Sequence, residues 1–173
     1  MKKLREYNKE DLMDKAYAFA YEFEQKYGCC PQCVLAAVKE TIGGISDEVF
    51  QSSQGLAGGG GLMGVGTCGA LSGGMMAISA FFGRDYEIFK ENLPRKAFKL
   101  SKDLFEKFYK EYGEFSCKGV QSKVLGRSFD MWSAEELKKF YEYGGHEDKC
   151  PSVAGNVAKW VIEILHDTND SVW

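Results

Sequence analysis

The chain has 173 residues, enough for one domain with a proper hydrophobic core and short for two. Apolar residues make up 45% and charged residues 27%, a globular balance that excludes a disordered chain. The formal charge of −3 comes from acidic and basic residues mixed along the sequence, which excludes an electrostatic footprint for nucleic acid or an anionic membrane.

At the N-terminus Lys2, Lys3 and Arg5 are followed by Glu6, Asn8, Lys9, Glu10 and Asp11, where a secretion signal needs an apolar run. A cytoplasmic location is therefore expected. A first helix is predicted over residues 8–27, with Asn8 as N-cap and a stripe of Leu12, Ala16, Phe19, Ala20, Phe23 and Tyr27 facing inward. A second starts at Cys30-Pro31, carries Val34, Leu35, Val38 and Ile42, and stops at Gly43-Gly44. Ser46-Asp47-Glu48 opens a short third helix that ends before Gly55.

Residues 55–66 are too rich in glycine for regular structure, and residues 69–82 then form an apolar helix. No charge occurs from Val49 to Gly83, but only residues 69–82 are apolar and helical, short of the roughly 20 residues that span a bilayer. That segment is predicted as a buried central helix. Residues 85–112 read as one kinked helix or two, broken at Pro94 and packing through Ala97, Leu100, Leu104 and Phe108. A short helix over 116–125 is closed by Gly126, and Ser133-Ala134-Glu135-Glu136 is a capping box that starts another. The last helix covers 151–166, with Val153, Val157, Val161, Ile164 and Leu165 inward. The expected fold is all-α: a single-domain helical bundle over residues 1–173 with about seven helices and a glycine-rich loop before the buried central helix.

Six cysteines in a chain without a secretion signal point to metal binding or redox work rather than structural disulfides. Four of them fall at predicted helix starts. Cys30 and Cys150 each precede a proline, Cys68 stands where the glycine loop becomes helix, and Cys117 follows Ser116. A helix N-terminus offers unpaired N–H groups and about half a positive charge, so thiol pKa values below the usual 8.5 are expected. The ordinary alternative for each is a buried structural cysteine.

Cys30-Pro31-Gln32-Cys33 is also a C-x-x-C dithiol, with Cys33 as the second thiol one turn inside, although the βαβ setting of thioredoxin is absent. Valine at position 34 excludes a c-type haem attachment site. The glycine loop lacks the Lys-Ser/Thr end of a phosphate loop, since Thr67-Cys68 stands there. Its glycines can instead turn N–H groups toward thiolates or a metal–sulfur centre, with Gly64, Gly66 and Gly69 the candidates beside Cys68. His146, four residues before Cys150, could assist a thiol or ligate a metal, but its Gly-Gly-His-Glu-Asp setting predicts an exposed turn. Lys118, Arg127 and Lys149 are expected as surface charges.

Taken together, Cys30-Pro31-Gln32-Cys33-Val34-Leu35-Ala36-Ala37, Gly66-Thr67-Cys68-Gly69-Ala70-Leu71-Ser72-Gly73, Cys117 and Cys150-Pro151 resemble the C_GCAxxG_C_C family, a mostly prokaryotic group described as redox-active. The resemblance covers about residues 27–165. It places the family cysteines on Cys30, Cys68, Cys117 and Cys150, and leaves Cys29 and Cys33 as extras. A similar domain accompanies haem segments in split-Soret cytochromes, where an iron–sulfur centre has been proposed.

The leading expectation is a redox protein whose four thiolates bind an iron–sulfur cluster or another thiolate-bound metal for electron transfer. The alternatives are a metal-free thiol–disulfide oxidoreductase and a non-catalytic metal-binding or transporter-accessory module. No motif specifies the redox partner, whether protein or small molecule, or the oligomeric state.

Overall fold

A computed structural model of the protein describes residues 2–91 and 93–168. Those residues form eight α-helices: α1 (Lys9–Tyr27), α2 (Cys30–Ile42), α3 (Asp47–Ser52), α4 (Gly69–Phe82), α5 (Lys96–Tyr112), α6 (Cys117–Leu125), α7 (Ala134–Glu142) and α8 (Cys150–Asp167). Among them there is no strand, and the architecture is all-α as expected. No helix among the described residues is long and apolar enough to cross a membrane.

Local chemistry sets most of the boundaries. Asn8 Oδ1 accepts from the Glu10 and Asp11 N–H groups and starts α1. Ser46 and Ser133 cap α3 and α7 in the same way, each accepting three residues ahead. One predicted helix is corrected. α5 does not reach back to Asp85; Tyr86–Ile88 is a single 3-10 turn, and the helix begins only at Lys96. Pro94 forces its predecessor out of helical geometry, so the chain restarts after it rather than kinking through it.

On α1 the expected Ala16 and Ala20 are buried and Leu12 and Phe19 pack against the core, but the end of the predicted stripe is corrected. The helix's buried residues are Met13, Ala16, Ala20 and Glu24, whereas Tyr27 is 76% exposed. The stripe follows the 13–16–20–24 diagonal, so small residues let α8 approach closely and the large aromatics fall to its side.

α8 lies along α1 in the opposite sense, with Lys9 paired to Asp167, Lys159 to Asp14, and Gln25 donating to the Glu147 carbonyl. The tight turn at Gly28 reverses the chain from α1 into α2. α4 runs parallel to α2: Gly73 touches Pro31 near their starts, and Gly44 touches Phe81 near their ends. Helices α2, α4 and α8 therefore all begin at the end of the bundle where α1 finishes.

Between them Leu35, Leu71, Leu104, Phe108, Val157 and Ile162 are fully buried in one main core. Burial of each such side chain stabilises the fold by about 1.5–3 kcal/mol. A small second core of Leu125, Phe129 and Phe140 holds α6 and α7 against this same end.

Candidate functional site

The parallel start of α2, α4 and α8 brings cysteines together that are far apart in sequence. Cys30 and Cys150 are the first residues of α2 and α8, and Cys68 is the N-cap of α4. Gly69 makes the approach of α4 to α2 close enough that a Cβ there would lie 2.9 Å from Pro31 Cδ and 3.3 Å from Cys30 Cβ.

The fourth thiol arrives by a different device. The end of the glycine loop and the start of α6 pair like a fragment of antiparallel sheet. Cys117 N–H donates to Gly66 O at 3.0 Å, Lys118 N–H to Gly64 O at 2.8 Å, and Cys68 N–H to Phe115 O at 2.7 Å. Thr67 and Ser116 form the bridge between them. Cys68 and Cys117 thus sit on adjacent strands of backbone.

Ser116 Oγ also caps α6, accepting from Gly119 N–H at 3.1 Å. Ser116→Ala is expected to lower the unfolding free energy by about 1 kcal/mol. The check is a shifted urea midpoint with an unchanged slope, and an unmoved midpoint would show that this cap contributes nothing.

Electrostatic interaction links all four sulfurs. Cys30 feels Cys150, Cys68 and Cys117; Cys150 feels Cys68 and Cys117; and Cys68 feels Cys117. Cys68 and Cys117 are buried, and Cys30 and Cys150 are partly so. Cys30, Cys117 and Cys150 line a chamber of about 410 Å³ that Cys29, Glu24, Gln121, Met131, Trp132, Phe140 and His146 help to wall. The second thiol of the C-x-x-C step turns elsewhere: Cys33 Sγ donates to Gly28 O at 2.8 Å and lines a separate hollow with Phe23, Tyr27 and Phe50.

The expected low thiol pKa values are overturned. Burial pushes the Cys30 and Cys150 thiols well above their ordinary value, with the Glu24 carboxylate adding to it. Burial raises Cys68 to about 12 and Cys117 to about 11. The Ala70 and Leu71 amides of α4 favour the Cys68 thiolate, and the Lys118 charge favours that of Cys117, but desolvation outweighs both. Two of the helix starts are in any case not free. The first N–H groups of α6 are used by Gly64 and Gly66, and α8 is preceded by a π-turn (Gly145–Lys149) whose carbonyl at Gly145 takes the Cys150 N–H.

The glycine loop is tied to itself rather than aimed at a ligand. N–H groups of residues 60–64 and 66 donate to carbonyls within residues 55–60. Gly58, Gly59, Gly60, Gly61 and Gly64 take positive φ to close these turns. Gly64 packs on the Lys118 side chain, Gly66 on the Gly59 backbone, and Gly69 on Pro31, while Gly55, Gly58 and Gly61 line the chamber.

His146 is not on an exposed turn. The π-turn is clamped to α1 by Gln25, whose amide donates to Glu147 O at 2.7 Å, and this presses the imidazole inward, edge-on to Phe140. His146 Nδ1 stands 3.3 Å from Oε1 of Glu24, a residue with no solvent exposure. Glu24 was missed in the sequence, although its signal was present: a carboxylate one helical turn beyond Ala20, on the apolar diagonal of α1. Arg127 and Lys149 are surface charges as expected, paired to Glu136 and Asp148.

The protein is an all-α bundle with four cysteines at the starts of four of its helices. The chain belongs to the C_GCAxxG_C_C family, whose model, described as "Putative redox-active protein", matches residues 28–164, about four fifths of its length. No curated protein and no solved structure shows significant similarity to it.

Proposed function

We propose that this is an electron-transfer protein in which Cys30, Cys68, Cys117 and Cys150 hold an iron–sulfur centre at the chamber. The observation that carries this reading is the convergence of helix starts that sets Cys30, Cys117 and Cys150 on one chamber, with Cys68 on backbone adjoining both Cys30 and Cys117. Their chemistry fits such a centre, since four thiolates are the ligand set of [2Fe–2S] and [4Fe–4S] clusters.

The spacing bears on which metal centre fits. Among the described residues, no three His, Cys, Asp or Glu side chains are set to hold one metal ion. A tetrahedral zinc with bonds of about 2.3 Å needs sulfurs about 3.8 Å apart. A polynuclear cluster interposes its own irons and sulfides and takes thiolates from further away. The four cysteines come from four separate helix starts rather than from the close cysteine pairs typical of zinc sites, which favours a cluster over a single zinc ion.

When bound, such a centre takes up and releases one electron at a time. The protein's own contribution is placement and environment. The core seals Cys68 from water, and the α4 amides act on its sulfur in the direction that steadies a thiolate. Because the free thiols are held protonated, loading expels protons. A protonated thiol is also a poor nucleophile, which weighs against metal-free disulfide exchange at these positions.

Anaerobic purification followed by iron and acid-labile sulfide analysis and a visible spectrum tests the reading. Bound iron and sulfide in comparable amounts, with charge-transfer absorption that bleaches on reduction, is the expected result. Protein that carries neither and accepts no cluster on reconstitution would overturn it.

A further inference from the structure

The thiols account for only part of the chamber wall. Facing them is Glu24, whose side chain has no solvent exposure; the Cys30 and Cys33 thiols approach its carboxylate, but neither oxygen closes a well-formed hydrogen bond. His146 Nδ1 stands 3.3 Å from Oε1, and it too closes no hydrogen bond. A buried carboxylate without well-formed hydrogen bonds is destabilising by several kcal/mol, so a residue of this kind in the last turn of α1, lining the chamber, calls for a partner that enters it.

The lining gives the partner's chemistry. Glu24 is the one carboxylate in the described lining, and neither lysine nor arginine stands there; His146 is its basic neighbour. The other wall is apolar and aromatic, with Leu62, Met131, Trp132 and Phe140. Aromatic faces attract a cation as well as an apolar body. The volume of about 410 Å³ lies at the small end of the range for organic ligands. Trp132 is anchored at the rim by its indole N–H, which donates to Gly61 O at 2.9 Å, so the aromatic wall is tied to the glycine loop.

We propose that the chamber binds a small organic cation, a primary ammonium or amidinium on a compact apolar body. Its N–H groups pair with the Glu24 carboxylate and its apolar part packs against Leu62, Met131, Trp132 and Phe140. The proposal deepens the reading above, on which it rests for the role of the thiols but not for the pocket. It makes the site one that takes a molecule beside the thiols, rather than a relay that passes electrons only to another protein.

The test uses the full chain, reduced and anaerobic, before and after reconstitution, with iron and sulfide measured on each sample. Benzylamine and its neutral isostere benzyl alcohol are titrated by ligand-observed NMR. Benzylamine is expected to bind the unmodified protein at least about tenfold more tightly than benzyl alcohol, the value of a charge-assisted hydrogen bond. Glu24→Gln is expected to remove that preference while leaving benzyl alcohol within about threefold of its original affinity. Trp132→Ala, at an exposed rim position, is expected to weaken both probes alike.

Equal affinities for the two probes, no measurable binding of benzylamine, or an undiminished preference in the Glu24→Gln protein would each overturn the proposal. The comparison of probes on the unmodified chain decides the matter if the variant does not fold. Benzylamine binding by iron-free protein that refuses a cluster would sink the iron–sulfur reading and leave this one standing. Cluster binding without benzylamine binding would do the reverse.

Discussion

Serine in place of Cys68 is expected to leave the protein folded and to reduce bound iron below about a tenth of the unsubstituted level, because loss of a direct ligand exceeds the 10–100-fold penalty of losing a group that only hydrogen-bonds to a ligand. Cys68 is the sharpest of the four to test. It is buried, caps the central helix and interacts electrostatically with the other three cysteines. Serine differs by one atom and can cap α4 at least as well, so helicity and denaturation midpoint serve as internal controls. Cys30→Ser, Cys117→Ser and Cys150→Ser are expected to follow it.

Cys33→Ser is the contrast. The Cys33 S–H is committed to the Gly28 carbonyl, a bond that a serine hydroxyl can replace, and its side chain lines a different hollow. Iron content should therefore stay near the unsubstituted value in the Cys33→Ser protein. Full iron retention in the Cys68→Ser protein, or an equal loss on changing Cys33, would remove the basis for a four-thiol centre and return weight to the C-x-x-C pair.

The cysteine set was legible because its signals are local. A Cys-Pro step, a cysteine at the end of a glycine loop and a Ser-Cys step each mark a helix start within a few residues, and α2, α4, α6 and α8 begin at those places. The convergence of the starts depends on helix direction, which no local signal carries. It follows from the close contacts of Gly69 and Gly73 with the beginning of α2 and from the antiparallel seating of α8 on α1.

Thiol ionisation was misread for a related reason. The helix dipole can be inferred from sequence, but desolvation depends on what is packed around the sulfur, and at Cys68 and Cys117 burial dominates. Glu24 was hidden by the choice of stripe. The inferred stripe held Ala16 and Ala20 correctly but was continued through the aromatics Phe23 and Tyr27, so it passed beside the carboxylate that the diagonal of small residues leads to. His146 followed, because a Gly-Gly-His turn predicts exposure unless one knows that Gln25 of α1 holds the turn down.

Gly73→Ala is expected to destabilise the protein by about 2 kcal/mol and to impair iron loading at the same time. Two opposing effects decide the sign. In a helix interior alanine is favoured over glycine by about 1 kcal/mol, so on propensity alone the change would stabilise. At this position, however, a Cβ would lie 2.6 Å from Pro31 O, 2.7 Å from Pro31 Cα and 3.0 Å from Pro31 C. All three are backbone atoms at the start of α2, and none can rotate aside as a side chain would. Separating α4 from α2 enough to admit the methyl group incurs an overpacking penalty of about 1–3 kcal/mol, at the upper end where only backbone can yield, and loosens the well-packed contacts around Leu35 and Leu71.

For a domain of this size a net loss of that order lowers Tm by roughly 4–8 °C. The same displacement moves Cys30 relative to Cys68, since each sits at the start of one of the two helices being pushed apart. Iron loading should therefore fall even at temperatures where the variant is folded. Gly55→Ala is the matched control: nothing lies within 4 Å of its added Cβ and its φ is not positive, so its Tm should stay close to the original. A Gly73→Ala protein as stable as the unsubstituted chain would mean that α2 and α4 do not meet backbone to backbone, and the convergence of Cys30 with Cys68 would lose its structural cause.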